Sequence, residues 1–118
     1  MFMNIEKSTN KRDNYEILLS NLDYYIIKGD NLVTNLSNLS SFLDYFLDDI
    51  NWVGFYLIKN NELVVGPFQG KVACSRIPLS KGVCGKAVTT KAIQNIPDVT
   101  IFAGHIACDS ASRSELVV

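Results

Sequence analysis

Several features are scarce in this 118-residue sequence, and each scarcity argues against a class of function. Basic residues are not in excess: 11 lysines and arginines accompany 12 aspartates and glutamates, without the basic stripe that neutralises a nucleic-acid backbone. The longest apolar runs, such as residues 52–58, fall far short of the roughly 20 residues that cross a bilayer. The first residues lack the basic and apolar regions of a secretory signal. We therefore expect a cytoplasmic protein that binds neither nucleic acid nor membranes.

Charged residues are also sparse, at 19%, whereas hydrophobic residues make up 47%. That balance supplies enough apolar surface for a buried core and argues against disorder. The length suits one compact domain and leaves little room for a second. We expect a single domain over residues 1–118.

Cysteine occurs three times, as Cys74, Cys84 and Cys108, all in the second half of the chain. An odd number of cysteines without a secretory signal argues against a static disulfide framework and for thiols kept reduced. The paired CxxC knuckles typical of structural zinc sites are absent, and so is the GxxxxGK[ST] loop that binds phosphates. Reactive, metal-bound and simply buried cysteines all remain open at this point.

Apolar periodicity predicts two helices in the first half. Apolar side chains recur at three- and four-residue steps over residues 15–26 and again over residues 32–46. Gly29 separates the two helices, and Asp30 or Asn31 can cap the second. We expect the pair to pack on one face of a sheet. The predicted buried stripe consists of Tyr15, Leu18, Leu19, Leu22 and Ile26, then Leu32, Leu36, Leu39, Phe42, Leu43 and Phe46.

Strand signals dominate the second half. Residues 51–58 are rich in β-branched and aromatic side chains, Asn60-Asn61 can form a turn, and residues 62–65 return as the hairpin partner. Gly66-Pro67 is expected to end that second strand. The remaining segments predict a strand at 76–79, a helix at 82–90, a strand at 92–96, a polar loop at 98–113 and a strand that begins at Glu115. The sequence therefore predicts an α+β fold.

Cys108 is the strongest nucleophile candidate of the three cysteines. It lies in a polar segment, three residues after His105 and five before Arg113. Positive or proton-accepting neighbours lower the pKa of a thiol and raise its thiolate fraction. The alternative is a small apolar residue that fills a turn, and the polar flank Asp109-Ser110 argues against that interpretation.

The other two cysteines each have a functional and a packing interpretation. Cys74 follows a glycine-bearing loop and is either a resolving thiol, which captures an oxidised partner as a disulfide, or a core cysteine at a strand edge. Cys84, which lies between two glycines, is a second resolving thiol, a packing residue or part of a pocket wall. With His105 and Cys108, these thiols are also the ligands of a hypothetical three-cysteine, one-histidine zinc site.

Trp52 and Tyr56 are four residues apart on the first predicted strand, so both side chains point to one face. Such a pair can line an apolar pocket for a small methyl-bearing ligand, or it can pack in the core. On the spacing alone, core packing is the better-supported interpretation.

Five segments of the sequence form an ordered set of motifs. They are Asn51-Trp52-Val53-Gly54-Phe55-Tyr56, Gly66-Pro67-Phe68-Gln69-Gly70, Ala73-Cys74, Gly82-Val83-Cys84-Gly85 and Gly104-His105-Ile106-Ala107-Cys108-Asp109-Ser110-Ala111-Ser112-Arg113-Ser114-Glu115. This set resembles the free methionine-(R)-sulfoxide reductases, a family with the GAF fold. The resemblance runs from about Tyr15 to the last residue and includes all three cysteines.

The resemblance implies an antiparallel sheet with helices packed around it and a ligand cavity on one side. It implies that Cys108 is the catalytic thiol, Cys74 the resolving thiol and Cys84 a further active-site cysteine. The substrate-binding residues that it implies are Trp52, Tyr56, Asp109 and Glu115.

The resemblance also implies a reaction, the reduction of free methionine (R)-sulfoxide to methionine. Glu115 in its protonated form assists departure of the sulfoxide oxygen while the Cys108 thiolate attacks sulfur. Cys74 then condenses with the resulting sulfenic acid to a disulfide. The implied partners are free methionine sulfoxide, thioredoxin as the reductant and a second subunit in a homodimer. No cofactor and no metal are expected.

The sequence departs from the family at its end, because family members continue past Val118 with further strands, a pair of carboxylates and a helix. We therefore expect the C-terminal strands and helix to be missing and this chain to fold poorly and turn over little substrate. The alternatives are an inactive truncated reductase and a GAF-type sensor that binds a small ligand without chemistry. A pure sensor does not need Cys74 and Cys108 in such loops, which favours the reductase.

Overall fold

The computed structural model describes residues 4–106 and 108–118, so the first three residues and the motif residue Ala107 lie outside the described part. The elements in chain order are α1 (Lys11–Tyr25), α2 (Leu32–Phe46), β1 (Trp52–Lys59), β2 (Glu62–Gly70), β3 (Arg76–Pro78), α3 (Gly82–Thr90), β4 (Gln94–Ile96), a 3-10 turn (Val99–Ile101) and β5 (Glu115–Val117). Strands β1-β2-β3 form one sheet and β4-β5 another, with β3 antiparallel to β2 and β5 antiparallel to β4. The predicted α+β class is confirmed.

The described residues form two compact units. The first contains residues 4–55 and 67–70, and the second contains residues 56–66 and 71–118. Helices α1 and α2 belong to the first unit, whereas β3, α3, β4 and β5 belong to the second. The single domain predicted from the length stays a prediction.

Both helices of the first unit begin at an asparagine cap. The side-chain oxygen of Asn10 accepts a hydrogen bond from the Asp13 amide at 3.1 Å. That of Asn31 accepts from the amides of Val33 and Thr34 at 2.9 and 3.3 Å. These bonds satisfy amides that have no partner within the helix. Asn31 was one of the two caps that the sequence predicted, and it is confirmed.

The core of the first unit consists of Leu18, Phe42 and Phe46, each at most 7% exposed. The rings of Phe42 and Phe46 meet edge to face, 4.9 Å between centroids. The predicted stripe is wrong at three positions, which are 41–66% exposed: Tyr15, Leu19 and Leu32. Adjacent helical residues lie about 100° apart around the axis, so burying Leu18 turns its neighbour outward.

The turn between β1 and β2 is made by two asparagines with positive φ. Asn60 has φ 49° and Asn61 has φ 65°. Two consecutive residues in the left-handed region match the twist of a two-residue hairpin, and asparagine tolerates that region better than most residues. The predicted turn is confirmed.

The prediction that Gly66-Pro67 ends the second strand is wrong, because β2 continues to Gly70. The Val65 amide donates to the Ser75 carbonyl, on the side of β2 that faces β3. Amides two residues apart in a strand point to the same side, so the nitrogen of Pro67, which carries no hydrogen, also faces that side. The pairing register with β3 runs only from Glu62 to Val64. Proline is therefore tolerated, since its nitrogen faces an edge beyond the paired residues.

Gly54 allows β1 and β2 to approach closely in the first unit. A Cβ atom at this position would lie 2.3 Å from the Phe68 Cβ and 2.8 Å from the Pro67 carbonyl oxygen. These atoms belong to or adjoin the backbone, so they cannot move aside without distorting the strand pair. The close approach therefore needs glycine here.

We expect Gly54→Ala to lower the free energy of unfolding by about 3 kcal/mol, because the added methyl overpacks the strand pair. Gly29→Ala is the matched control: its Cβ would meet nothing within 4 Å, so only the backbone cost at φ +86° remains, about 1 kcal/mol. Denaturant unfolding measures both values. Equal losses in the two variants would contradict the steric explanation.

The second unit holds α3 against the segment that precedes it. Val83 is 2% exposed, and a Cβ atom on Gly85 would lie 2.6 Å from the Leu79 carbonyl oxygen. The predicted helix at 82–90 coincides with α3, whereas β3 and β4 are shorter than the strands predicted there. The predicted polar loop contains the 3-10 turn, whose first residue Val99 is buried and donates its amide hydrogen to the Arg113 carbonyl at 3.0 Å. That bond closes the loop from 99 to 113.

Candidate active site

Cys74 and Cys108 are joined by a disulfide, with their Cα atoms 5.4 Å apart across a sequence separation of 34 residues. Cys74 lies in the segment between β2 and β3, and Cys108 lies in the loop before β5. The Tyr56 hydroxyl donates to the Cys74 carbonyl at 2.7 Å, which anchors the backbone of that cysteine. The pairing that the resemblance implied is therefore present.

The chain turns immediately after Cys108. The Asp109 side chain accepts a hydrogen bond from the Ala111 amide at 2.9 Å, and its carbonyl accepts from the Ser112 amide at 3.2 Å. Both bonds stabilise a tight turn, in which the Asp109 carboxylate acts as a local acceptor. A substrate-binding role for Asp109 stays a prediction.

Cys84 is the cysteine outside the disulfide, and it lies half-buried on α3. Its sulfur is 3.9 Å from Oε1 of Glu115 on β5, within reach of a weak S–H···O hydrogen bond. Burial, the Glu115 charge and this hydrogen bond raise the pKa of the Cys84 thiol to about 11. At neutral pH Cys84 is therefore a protonated donor toward the carboxyl, not a thiolate.

Glu115 has a second partner on its other oxygen. Nε2 of His105 lies 3.2 Å from Oε2, and the two side chains are 15% and 30% exposed. Tyr56 also faces Glu115. The pKa of the Tyr56 hydroxyl is raised mainly by burial and further by the charges of Cys84 and Glu115. Glu115 is thus shared by side chains from β1, α3 and the loop before β5.

The sequence suggested His105 and Arg113 as neighbours that activate Cys108. The structure places His105 against Glu115, as described above. Arg113 instead acts on Asp98, whose carboxyl pKa is lowered mainly by hydrogen bonds from Thr100 and further by the Arg113 charge. Proximity along the chain therefore did not identify their contacts. The missed pair, His105 and Glu115, is ten residues apart across a loop, a spacing that carries no periodic signal.

The disulfide occupies two of the four ligands that the zinc hypothesis needs. Within residues 4–106 and 108–118, no three His, Cys, Asp or Glu side chains are arranged to hold a metal ion. The structure therefore gives the zinc hypothesis no support.

Trp52 lies in the first unit and stacks on Phe68, with ring centroids 5.3 Å apart. Tyr56 lies in the second unit with the three cysteines and Glu115. The substrate-binding roles of the two aromatic residues stay predictions.

A cleft of about 470 Å³ also occurs in the second unit, beside the start of α3. None of its lining residues is a cysteine, His105 or Glu115: they are Ser80, Lys81, Gly82, Lys86, Thr89, Phe102, Ala103 and Gly104. The cluster of reactive side chains therefore does not line this cleft. In the described part of the chain, no helix has the length and apolar character needed to cross a membrane.

Comparison with solved structures identifies the class of protein. The chain matches a structure of a GAF domain with a TM-score of 0.88 and 44% identity, covering 96% of this chain and 68% of that one. It matches the substrate complex of a free methionine-R-sulfoxide reductase from Neisseria meningitidis with a TM-score of 0.91 and 36% identity, covering 98% and 70%. No family model matches the chain. The fold is that of a GAF domain.

Sequence relatives identify the family within that class. The chain is 48% identical over 109 residues to the free methionine-R-sulfoxide reductase of Escherichia coli, covering 92% of this chain and 66% of that protein. It is 45% identical over 123 residues to the enzyme of the same name from Saccharomyces cerevisiae, covering 98% and 68%. The chain belongs to the free methionine-R-sulfoxide reductases, a family of oxidoreductases. It spans about two thirds of the length of these relatives.

The raised pKa of Cys84 predicts a slow reaction with alkylating reagents. In the oxidised protein Cys84 is the remaining thiol, and a pKa of about 11 leaves on the order of one thiolate in a thousand at pH 8. We expect alkylation by iodoacetamide, followed by mass spectrometry, to be roughly 100-fold slower there than for an unperturbed cysteine and to accelerate toward pH 11.

Glu115→Gln should move that alkylation profile to lower pH, since it removes a charge that opposes thiolate formation. Glu62→Gln is the matched control: it removes a carboxylate that pairs with Arg76, and it should leave the profile unchanged. A wild-type midpoint near pH 8.5 would contradict the assigned environment of Cys84.

Proposed function

We propose that this chain reduces free L-methionine (R)-S-oxide to L-methionine, with Cys108 as the nucleophile and Cys74 as the resolving thiol. The observation that carries the proposal is the Cys74–Cys108 disulfide in a chain of this family. A pair of cysteines joined across 34 residues, in the same compact unit as a carboxyl and a protonated thiol, suits two-electron reduction of a small oxidised thioether.

The first chemical step transfers oxygen from the substrate to the protein. The Cys108 thiolate attacks the sulfoxide sulfur while one proton is delivered to the sulfoxide oxygen. The oxygen then migrates to the Cys108 sulfur: a sulfur–oxygen bond forms there, while the transient bond between the two sulfurs and the sulfur–oxygen bond of the substrate break. Methionine leaves, and Cys108 becomes a sulfenic acid. The thiolate, the sulfoxide and the proton are thereby converted to methionine and sulfenic acid. The Cys108 sulfur supplies the two electrons that reduce the sulfoxide sulfur.

The second step joins the two cysteine sulfurs in a disulfide. The Cys74 thiol attacks the sulfur of the Cys108 sulfenic acid, the sulfur–oxygen bond breaks, and the oxygen leaves as water with the thiol proton. The product is the disulfide present in this structure. An external dithiol then reduces it by thiol–disulfide exchange, and we propose thioredoxin for that role.

Glu115 is the proposed acid that delivers the proton to the sulfoxide oxygen. Its carboxyl lies at the centre of the cluster, with Cys84 at one oxygen and His105 at the other. Because Cys84 holds its proton up to about pH 11, it does not compete with Cys108 as a nucleophile. Trp52, Tyr56 and Asp109 are the further proposed substrate contacts.

The test is an assay of the purified chain with each epimer of free methionine sulfoxide and a dithiol, followed by measurement of methionine. We expect release from the R epimer and none above background from the S epimer. A peptide containing methionine sulfoxide is the control and should not react. Release from neither free epimer would refute the proposal, and ligand binding without release would instead indicate a GAF-type sensor.

Two finer parts of the proposal have their own measurements. Replacing the dithiol by thioredoxin, its reductase and NADPH should sustain turnover, and failure would remove thioredoxin as the reductant. Light scattering of the purified chain should give the mass of a homodimer, and a mass of about 13.1 kDa would exclude it.

A further inference from the structure

The two oxygens of the Glu115 carboxyl have different partners. Oε1 faces the Cys84 sulfur at 3.9 Å, and Oε2 faces Nε2 of His105 at 3.2 Å. The His105 contact is the shorter one, and its side chain is 85% shielded from solvent. A carboxyl that is held at one oxygen presents the other in a defined direction.

The loop before β5 places His105 at this position. The His105 amide donates to the Phe102 carbonyl at 3.3 Å, and the preceding Gly104 adopts φ +79°, a turn conformation that glycine accepts readily. The next residue, Ile106, lies 3.5 Å from where a Cβ of Gly82 would be, against the first residue of α3. The backbone that carries the His105 imidazole is therefore held on both sides of this residue.

We propose that His105 is a positioning residue for Glu115: it binds Oε2 and thereby directs Oε1 toward Cys84 and the substrate oxygen. This inference rests on the proposed reductase function. The proton that Glu115 gives to the sulfoxide oxygen is replaced by one from water before the next turnover.

The other titratable groups that face Glu115 do not replace His105 in this role. In the described chain they are Tyr56 from β1 and Cys84 from α3, both with pKa values raised by burial. Cys84 faces the other oxygen, Oε1, at 3.9 Å, the distance of a weak S–H···O contact. Oε2 is held by the imidazole of His105 at 3.2 Å.

Two variants test the contact. His105→Gln retains an amide donor for Oε2, whereas His105→Ala loses the donor. We expect the alanine variant to lose roughly 10- to 100-fold in kcat, with KM changed by less than about threefold. We expect the glutamine variant to recover kcat to within about threefold of wild type.

The split between kcat and KM distinguishes this role from a merely structural one. Misdirection of Glu115 slows the chemical step and leaves substrate binding nearly unchanged, whereas a general loss of structure would also raise KM and lower the melting temperature. Thermal melts of the reduced proteins establish that each variant is folded.

A measurement without turnover tests the contact independently. Because the Glu115 charge helps to raise the pKa of Cys84, releasing Glu115 in His105→Ala should shift Cys84 alkylation to lower pH, and His105→Gln should largely restore it. If wild type releases no methionine, the proposed function fails, while the alkylation shift still supports the His105 contact. If wild type is active but His105→Ala has wild-type kcat, or His105→Gln recovers none of the loss, the positioning role is refuted.

Discussion

Cys108→Ser is expected to abolish reduction of free methionine sulfoxide, with a loss of at least about 1,000-fold in kcat. A serine hydroxyl is not ionised at neutral pH and is a much weaker nucleophile than a thiolate toward sulfoxide sulfur. In the proposed first step the thiolate is the group that changes bonding, so we expect no other thiol to replace it at the same position. Methionine release with thioredoxin, its reductase and NADPH measures the loss.

Substrate binding should survive the same substitution. Oxygen and sulfur are close in size, and the proposed contacts of the ligand come from other residues, so we expect the dissociation constant measured by calorimetry to change by less than about threefold. Binding without turnover is the result that assigns chemistry to this sulfur. Full turnover by Cys108→Ser would show that the nucleophile lies elsewhere.

The reference for this variant is the reduced wild type. A disulfide that closes a loop of 34 residues stabilises the oxidised protein by roughly 3 to 4 kcal/mol through the entropy of the unfolded chain, and the serine variant lacks that contribution. Ser110→Ala is the matched control in the same loop: its side chain is exposed, so activity should stay within about twofold of wild type.

Cys74→Ser is expected to stop catalysis after the first turnover. Without a resolving thiol, the Cys108 sulfenic acid persists, and thioredoxin has no disulfide to reduce. We expect a burst of one methionine per chain, followed by a steady-state rate at least about 100-fold below wild type. Rapid quenching measures the burst, and dimedone labelling of Cys108 detects the sulfenic acid. The backbone carbonyl that accepts from Tyr56 is retained in this variant.

The choice of reductant makes the result specific. A small dithiol attacks the sulfenic acid directly, so dithiothreitol should restore slow turnover to Cys74→Ser, whereas it should restore none to Cys108→Ser. Steady turnover of Cys74→Ser with thioredoxin would contradict the resolving role. A Cys84–Cys108 disulfide found by mass spectrometry in that case would transfer the role to Cys84.

The local elements of this fold could be predicted from the sequence because their determinants lie within a few residues. The asparagine at position 31 satisfies amides two and three residues ahead, and Asn60-Asn61 has the backbone preferences of a tight hairpin turn. The helix at 82–90 was likewise correct in both bounds. The motif set that carries the family resemblance is also linear, and it contains all three cysteines and Glu115.

Predictions failed where a neighbour distant in sequence decided the outcome. β2 continues through Gly66-Pro67 because pairing with β3 has already ended on the side that proline faces, and no local signal states where a neighbouring strand stops. Leu18 is buried and Leu19 exposed because α2 covers only one side of α1. Apolar periodicity is compatible with burial of either leucine, so it does not distinguish the two.

The sequence by itself determined the helices, the hairpin turn, the reactive residue types and the family. The tertiary structure decided which of those residues meet: Cys74 with Cys108 across 34 positions, Cys84 with Glu115 across 31, and His105 with Glu115 rather than with its neighbour Cys108. The physical reason is range. Hydrogen bonds and rotamer preferences within a turn are encoded over a few residues, whereas the meeting of distant side chains depends on the path of the whole chain, which packing sets.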